Sequence, residues 1–234
     1  MASSLARNYD LLSKKLASES STRKRELGHL CTMLKLQYTS YRRRDAAGKI
    51  FLDYEFEGEL FENSEYHWAA ACHRRAMYVL TYAHWEGYTK SAFTHYLYFL
   101  DQLGQAETEL HPSLVAYMQS ADVPVVEGTS AYDLTTESAR KAAGSKANLS
   151  FDFARKLWER FDLDFPEYFT TEKETVKHLV AMRHGIAHGD PDSEYSELVK
   201  DEKVAIAKAV DFVKEFFEIL TESILLKAEL FHDR

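Results

Sequence analysis

The segment EYHWAAACHRRAMYVLTYAHWEGYTKSAFTHYLYFLDQL, from Glu65 to Leu103, is the strongest helical pattern in this chain. It contains no proline, and apolar residues recur along it at helical spacing for many turns. The residues that set this period are Trp68, Cys72, Ala76, Val79, Leu80, Ala83 and Gly87. We therefore predict a long core helix over residues 65–103, with Gly104 as its C-terminal cap.

Two shorter helices and one long helix are predicted after residue 148. Ser150 is a candidate N-cap before FDFARKLWERF. Thr171 precedes EKETVKHLVAMRHGIAHG, and Glu174 three residues later completes a capping-box pattern. The last helix has apolar residues at i, i+4 and i+7 over about seven turns. Its apolar series is Ile206, Val210, Val213, Phe217, Leu220, Ile224, Ala228 and Phe231.

The N-terminal region predicts further helix, over roughly Leu5 to Arg44, with a break at SESST. The following GKIFLDYEFEGELFENSE has room for a short extended segment, but it lacks an alternating pattern long enough to predict a sheet. Prolines and glycines between residues 104 and 148 predict a loop-rich insertion. The fold class is therefore all-α, a helical bundle in a single domain over residues 1–234. Its predicted parts are an N-terminal helical extension (1–50), the core helix (65–103), the central insertion (104–148), and the penultimate and long C-terminal helices (149–234).

Composition restricts the function classes. The formal net charge of −8 argues against a protein that coats nucleic acid through its whole surface. This charge does not exclude a local basic cleft. Arg42–Arg44, or Arg74 and Arg75, could form one, and a solvated helix face is the other interpretation of these runs. Cys31 and Cys72 indicate neither a disulfide framework nor a cysteine zinc site, which fits a reducing compartment.

The start of the sequence, MASSLARNYDLL, lacks the apolar core of a signal peptide. No segment approaches the roughly 18 uninterrupted apolar residues that would span a bilayer. We therefore expect a cytoplasmic protein with no membrane association.

The segment AMRHGIAHGDPD, from Ala181 to Asp192, is the main candidate for a functional site. Arg183 falls on the apolar face of the penultimate helix, where a charge needs a carboxylate partner, a cleft or a subunit interface. His184 and His188 are four residues apart, so we expect them to stack on one flank of this arginine-bearing face. Arginine matches phosphate oxygens, and histidine exchanges protons near neutral pH. Together these residues suit phosphoryl chemistry.

Two other interpretations of this segment stay open. Arg183 and His188 can be a salt-bridged core arginine and a capping histidine, with no chemical role. Alternatively, His184 and His188 match half of a helical zinc site, with Asp190 or Asp192 as a third ligand. The segment lacks the glutamate of HExxH, so the expected cofactor and metal content is none.

The spacing of Arg183 and His188 resembles the R-x4-6-H signature of HEPN domains, a superfamily of helical nucleotide-binding domains. YAHWEGYTK, from Tyr82 to Lys90, is similar to a segment of the toxin- and defence-associated MAE-type HEPN subgroup. The resemblance covers roughly Tyr66 to Leu103 and Phe151 to Phe231.

The resemblance implies a dimeric bundle that cleaves RNA without a metal, by attack of the ribose 2′-hydroxyl on the adjacent phosphate. His188 would be the general acid or base, Arg183 would orient the phosphate, and His184 would be an auxiliary donor. Glu86 is a candidate partner that holds Arg183, although a structural or exposed glutamate is an equal interpretation. The implied partners are RNA, a second copy of the chain, and an antitoxin or defence-system protein.

Three functions therefore follow from the sequence. The first is a metal-independent endoribonuclease, acting as a toxin or defence effector. The alternative is a non-catalytic helical module for dimerisation or for nucleotide or RNA binding. A metal-dependent hydrolase is the third.

Overall fold

The computed structural model describes residues 2–36, 40–44, 50–56, 59–61, 63–102, 148–189 and 199–232, with side chains within 6–32, 72–100, 148–189 and 204–230. The predicted insertion, apart from Asn148, and Gly104 lie outside the described residues. The helices are α1 (Ala2–Leu36), α2 (Asn63–Gln102), α3 (Phe151–Arg160), α4 (Lys173–His188) and α5 (Val199–His232), with a 3₁₀ helix at Glu167–Glu172. The strands are β1 (Ser40–Arg44), β2 (Ile50–Phe56) and β3 (Glu59–Phe61).

The bundle is built on three long helices. Helices α1, α2 and α5 pack against one another, and α4 packs against α2 and α5. Helix α3 contacts α4 and precedes it through the 3₁₀ helix. The predicted all-α, HEPN-like bundle is confirmed.

A small sheet between α1 and α2 departs from that prediction. Strands β1, β2 and β3 form an antiparallel sheet in that order, with Arg42 opposite Leu52 and Tyr54 opposite Phe61. The prediction of helix as far as Arg44 is therefore wrong, and Arg42–Arg44 lie on a strand rather than on a helix face. The signal for β2 is its content of Ile, Phe and Tyr, which favour strands even where alternation is imperfect.

The predicted break at SESST is also wrong, because α1 is one continuous helix. Polar residues in this stretch pair across the helix interface instead of forming a loop. The Glu19 carboxylate accepts hydrogen bonds from Ser91 Oγ on α2 at 2.6 Å and from Arg23 at 2.7 Å, and His95 Nε2 lies 3.5 Å away. The polar run SESST therefore contributes to a hydrogen-bond network between helices. From local sequence alone, such a run looks the same as a turn.

The predicted core helix is confirmed as α2, although its buried face was placed wrongly. Ala76, Leu80 and Ala83 are exposed. The fully buried apolar positions are mostly aromatic instead, namely Met77, Tyr78, Tyr82, Trp85, Tyr88, Ala92, Phe93, Tyr96 and Phe99. Tyrosine and tryptophan can fill a protein interior when their rings pack together. The sequence-based prediction relied on the other apolar residues and therefore missed this aromatic face.

An aromatic cluster joins four elements at the centre of the bundle. Trp85 of α2 contacts Phe212 and Phe216 of α5, with ring centroids 6.3 and 5.9 Å apart. Phe216 stacks on Phe169 of the 3₁₀ helix at 5.3 Å and contacts Trp158 of α3 at 6.1 Å. The cluster therefore fixes α2, where the YAHWEGYTK segment lies, relative to the chain that leads into α4.

The predicted apolar face of helix α5 is confirmed. Seven of the predicted residues are at most 1% exposed, and Phe231 lies outside the described side chains. The seven are Ile206, Val210, Val213, Phe217, Leu220, Ile224 and Ala228.

The Glu19 network predicts acid sensitivity of the bundle. Burial alone raises the pKa of this carboxyl, but hydrogen bonds from His95, Ser91 and Arg23 outweigh burial and lower the pKa from 4.5 to about 2. A depressed pKa stabilises the fold above the unfolded-state value, and this stabilisation is lost as pH falls from 4.5 towards 2. We expect Glu19→Gln to lower the unfolding free energy near neutral pH and to make its fall below pH 4.5 shallower.

Denaturant unfolding of both chains across this pH range measures the effect. Glu159→Gln is the control, since Glu159 and Arg155 form an exposed pair within α3, and exposed pairs contribute little. Parallel pH profiles for Glu19→Gln and the original chain would contradict the prediction.

The described helices carry no sign of a membrane span. None of them is both long and apolar enough to cross a bilayer.

The two cysteines, Cys31 and Cys72, do not form a disulfide.

Candidate active site at the end of helix α4

Helix α4 begins differently from the prediction. The structure places Thr171 within the 3₁₀ helix, where its hydroxyl donates to the Tyr168 carbonyl at 2.6 Å. The residue before α4 is Glu172, whose side chain makes no capping hydrogen bond. The predicted capping box of Thr171 and Glu174 is therefore wrong. The 3₁₀ helix runs directly into α4, so Thr171 is already helical and does not stand at the N-cap position.

The predicted end of α4 is confirmed. Gly189 has a φ of 68° and a ψ of 32°, and its N–H donates towards the Gly185 and Ile186 carbonyls. This left-handed conformation, rather than a lack of space, favours glycine here, because among the described residues no atom outside the adjoining backbone lies within 4 Å of the position that a Cβ would occupy. His188 is the last helical residue, where a protonated imidazole interacts favourably with the helix dipole.

His184 and His188 form an exposed pair on the last turns of α4. Their ring centroids are 4.3 Å apart and the ring planes are inclined by 53°. Both residues are exposed. The contact between the two imidazoles is as the i, i+4 spacing predicts, and the pair faces solvent.

Arg183 lies on a different side of the helix, facing α2. Its guanidinium carbon is 4.9 Å from the centre of the Tyr82 ring, over the ring. The arginine is only partly buried. Within the described residues, no carboxylate lies at ion-pair distance from it and no hydrogen bond joins it to either imidazole. Among the described residues, Arg183 therefore contacts an aromatic ring rather than the candidate carboxylate Glu86.

Tyr82 is held firmly beneath this guanidinium. It is 2% exposed, and its hydroxyl lies 3.1 Å from the Leu149 carbonyl and 3.3 Å from Glu86 Oε1. Burial, followed by the charge of Glu86, raises the pKa of the phenol to about 12 against the opposing charge of Arg183. The phenol therefore stays protonated and donates a hydrogen bond rather than acting as a base.

Glu86 does not form the predicted ion pair with Arg183. Its Oε1 atom accepts from Lys90 Nζ at 2.9 Å, from the Leu149 backbone N–H at 3.1 Å and from the Tyr82 hydroxyl. The carboxylate thereby ties α2 to the chain just before α3, whose N-cap is Ser150 as predicted. Among the described contacts, Tyr82 is the residue that touches both Glu86 and Arg183.

Sequence reasoning missed two aromatic contacts between α2 and α4. Tyr82 opens the YAHWEGYTK segment, and its position four residues before Glu86 places both side chains on one helix face. Tyr78 lies one turn earlier, and its hydroxyl is 3.1 Å from His178 Nε2 on α4. Both contacts depend on tertiary packing, and the spacing indicates only that Tyr82 shares a helix face with the candidate Glu86.

Potential metal ligands are sparse around the histidine pair. The described side chains contain no group of three or more His, Cys, Asp or Glu residues that could hold an ion. Asp190 and Asp192, the further ligands considered, lie outside the described residues. The two imidazoles alone therefore make up the described donor set, which is half of a zinc site.

A helical bundle in which an Arg-x4-His sequence ends the penultimate helix, α4, has the features of the HEPN class. A family model described as RiboL-PSP-HEPN matches residues 18–225, so the chain belongs to the RiboL-PSP-HEPN family. The match extends back into α1, beyond the region of the sequence resemblance, and it does not confirm the MAE-type subgroup. No curated protein and no solved structure matches the chain significantly.

Proposed function

We propose that the chain is a metal-independent endoribonuclease that cleaves RNA by attack of a ribose 2′-hydroxyl on the adjacent phosphate. The observation that carries the proposal is the exposed His184–His188 pair on α4, the helix that also carries Arg183, whose guanidinium packs on Tyr82. An imidazole can take the 2′-hydroxyl proton or protonate the leaving oxygen. The guanidinium supplies a permanent charge and N–H donors for the phosphate.

His188 carries the proton transfer in this proposal, and His184 is the auxiliary donor. The two rings are in contact, so either imidazole lies near a phosphate bound by the other. Only RNA has the attacking hydroxyl, so DNA is not a substrate.

We further propose that two copies of the chain complete the site. Arg183 faces α2 while His188 faces solvent, so one chain alone presents the two groups in different directions. A second α4 packed against the first would bring the arginine of one copy towards the histidine of the other. The resemblance also motivates a cytoplasmic toxin or defence role, with an antitoxin or defence-system protein as partner.

The test compares His188→Ala with His178→Ala, using RNA and a chelator. His178 lies on the same helix and is also exposed, but it contacts Tyr78 instead of the candidate site. We expect His188→Ala to reduce cleavage by about 10²- to 10⁴-fold, the usual contribution of a general acid or base. We expect His178→Ala to cleave like the original chain.

Two outcomes would remove the proposal. One is the absence of any cleavage by the original chain in chelator. The other is equal activity in both histidine variants.

A second candidate function is a non-catalytic helical module that dimerises or binds a nucleotide or RNA. The packing of Arg183 over Tyr82 favours it, because such a contact can brace α4 against α2 without any chemistry. In that case Arg183→Ala lowers thermal stability or dimerisation, and no RNA is cleaved by either chain.

A further inference from the structure

We propose that Tyr82 is a positioning residue for Arg183, and that its ring is the platform that aims the guanidinium at phosphate. The inference deepens the proposed ribonuclease function and rests on it. Tyr82 touches neither imidazole in the described contacts, so it acts through the arginine alone. Its distinguishing contact is the placement of the guanidinium carbon 4.9 Å from the ring centre.

An aromatic platform holds an arginine differently from a carboxylate. A carboxylate occupies the N–H donors of the guanidinium and neutralises its charge. A ring face attracts the cation but supplies no oxygen acceptor and no opposite charge, so the N–H groups of the guanidinium keep their capacity for phosphate oxygens. Arg183 is thus constrained while its binding groups stay available.

The platform itself is rigidly supported. The ring of Tyr82 packs edge-on against Trp85, with centroids 6.1 Å apart, and Trp85 is completely buried. At the other end of the ring, the hydroxyl lies beside Glu86 and the Leu149 carbonyl. Because packing fixes one end and hydrogen bonds fix the other, the ring has little freedom to tilt under the guanidinium.

The test replaces the ring and measures catalysis together with the mobility of Arg183. Tyr82→Met keeps apolar volume but removes the platform. Tyr88→Met is the matched control, since Tyr88 is equally buried on the same helix and its hydroxyl bonds Thr221 on α5, away from Arg183. Tyr82→Phe keeps the platform and loses only the hydroxyl.

We expect Tyr82→Met to lower kcat by about ten- to a hundredfold, with a smaller change in KM, because a displaced guanidinium fails mainly in the transition state. Tyr82→Phe keeps the ring but loses the hydrogen bonds at one end of it, so its kcat should fall less than that of Tyr82→Met. Tyr88→Met should change kcat little once both proteins are assayed well below their Tm. In NMR, the Nε–Hε signal of Arg183, assigned by its loss in Arg183→Lys, should gain mobility in Tyr82→Met but not in Tyr88→Met.

Equal kcat and equal Arg183 mobility in Tyr82→Met and Tyr88→Met would overturn the inference, because the ring would then be ordinary core. If Tyr82→Met does not fold, Tyr82→Leu provides the same comparison. If the original chain cleaves no RNA, the proposed function fails by itself. The NMR comparison then decides whether Tyr82 positions Arg183.

Discussion

Arg183→Ala is expected to lower the rate of RNA cleavage by at least about a hundredfold, the usual effect of removing a group that stabilises transition-state charge. The cost to stability should be small, about 0.5–1 kcal/mol, because the described contacts of this side chain reduce to one cation–π interaction. Arg183→Lys should recover only part of the rate, since an ammonium has neither the planar fork nor the same stacking on Tyr82. Single-turnover cleavage and thermal unfolding measure the two effects.

A mixture of Arg183→Ala and His188→Ala chains extends this test to the proposed dimer. If the arginine of one copy acts with the histidine of the other, a mixed dimer contains one site with both groups, and cleavage returns. A site formed within one chain gives no recovery. Unchanged cleavage by Arg183→Ala alone would exclude a role of the arginine in the reaction.

Trp85→Ala is expected to produce the largest loss of stability, about 3–5 kcal/mol, as for other large-to-small substitutions in a core. Trp85 is completely buried and contacts the rings of Tyr82, Phe212 and Phe216. Its truncation would therefore leave a cavity between α2 and α5 and loosen the support of the Tyr82 ring.

Two controls separate packing from hydrogen bonding in this prediction. Trp85→Phe should cost markedly less, because Trp85 Nε1 has no hydrogen-bond acceptor among the described residues and a ring is retained. Leu226→Ala, at a position 57% exposed on α5, should stay within about 0.5 kcal/mol of the original chain. Equal destabilisation by Trp85→Ala and Leu226→Ala in urea unfolding would contradict the structural importance of the aromatic cluster.

The two long helices α5 and α2 show why one buried face was predictable from sequence and the other was not. Helix α5 is buried along one stripe, so aliphatic residues at i, i+4 and i+7 identify that stripe directly. Helix α2 contacts α1, α4 and α5, and its apolar residues surround it. Periodicity then gives the helix but not its orientation, and the small residues Ala76 and Ala83 were mistaken for the packed side.

The candidate site was predictable only where its geometry is local. The contact of His184 with His188 and the cap at Gly189 follow from helical spacing and from the conformational freedom of glycine. The partner of Arg183 lies about a hundred positions away on α2, and charge alone favoured Glu86 over Tyr82. Only tertiary packing distinguishes a carboxylate from a ring as that partner.

The chemistry of the cut ends distinguishes attack by the ribose 2′-hydroxyl from other routes of RNA cleavage. The test uses two substrates, an RNA and the same RNA with 2′-deoxyribose at the cleaved position. Each is incubated with the purified chain in chelator, and the masses of the products are determined by mass spectrometry. We predict 2′,3′-cyclic phosphate ends from the RNA and no cleavage at the deoxy position. Products with free 3′-hydroxyl ends, or cleavage at the deoxy position, would contradict the proposed mechanism.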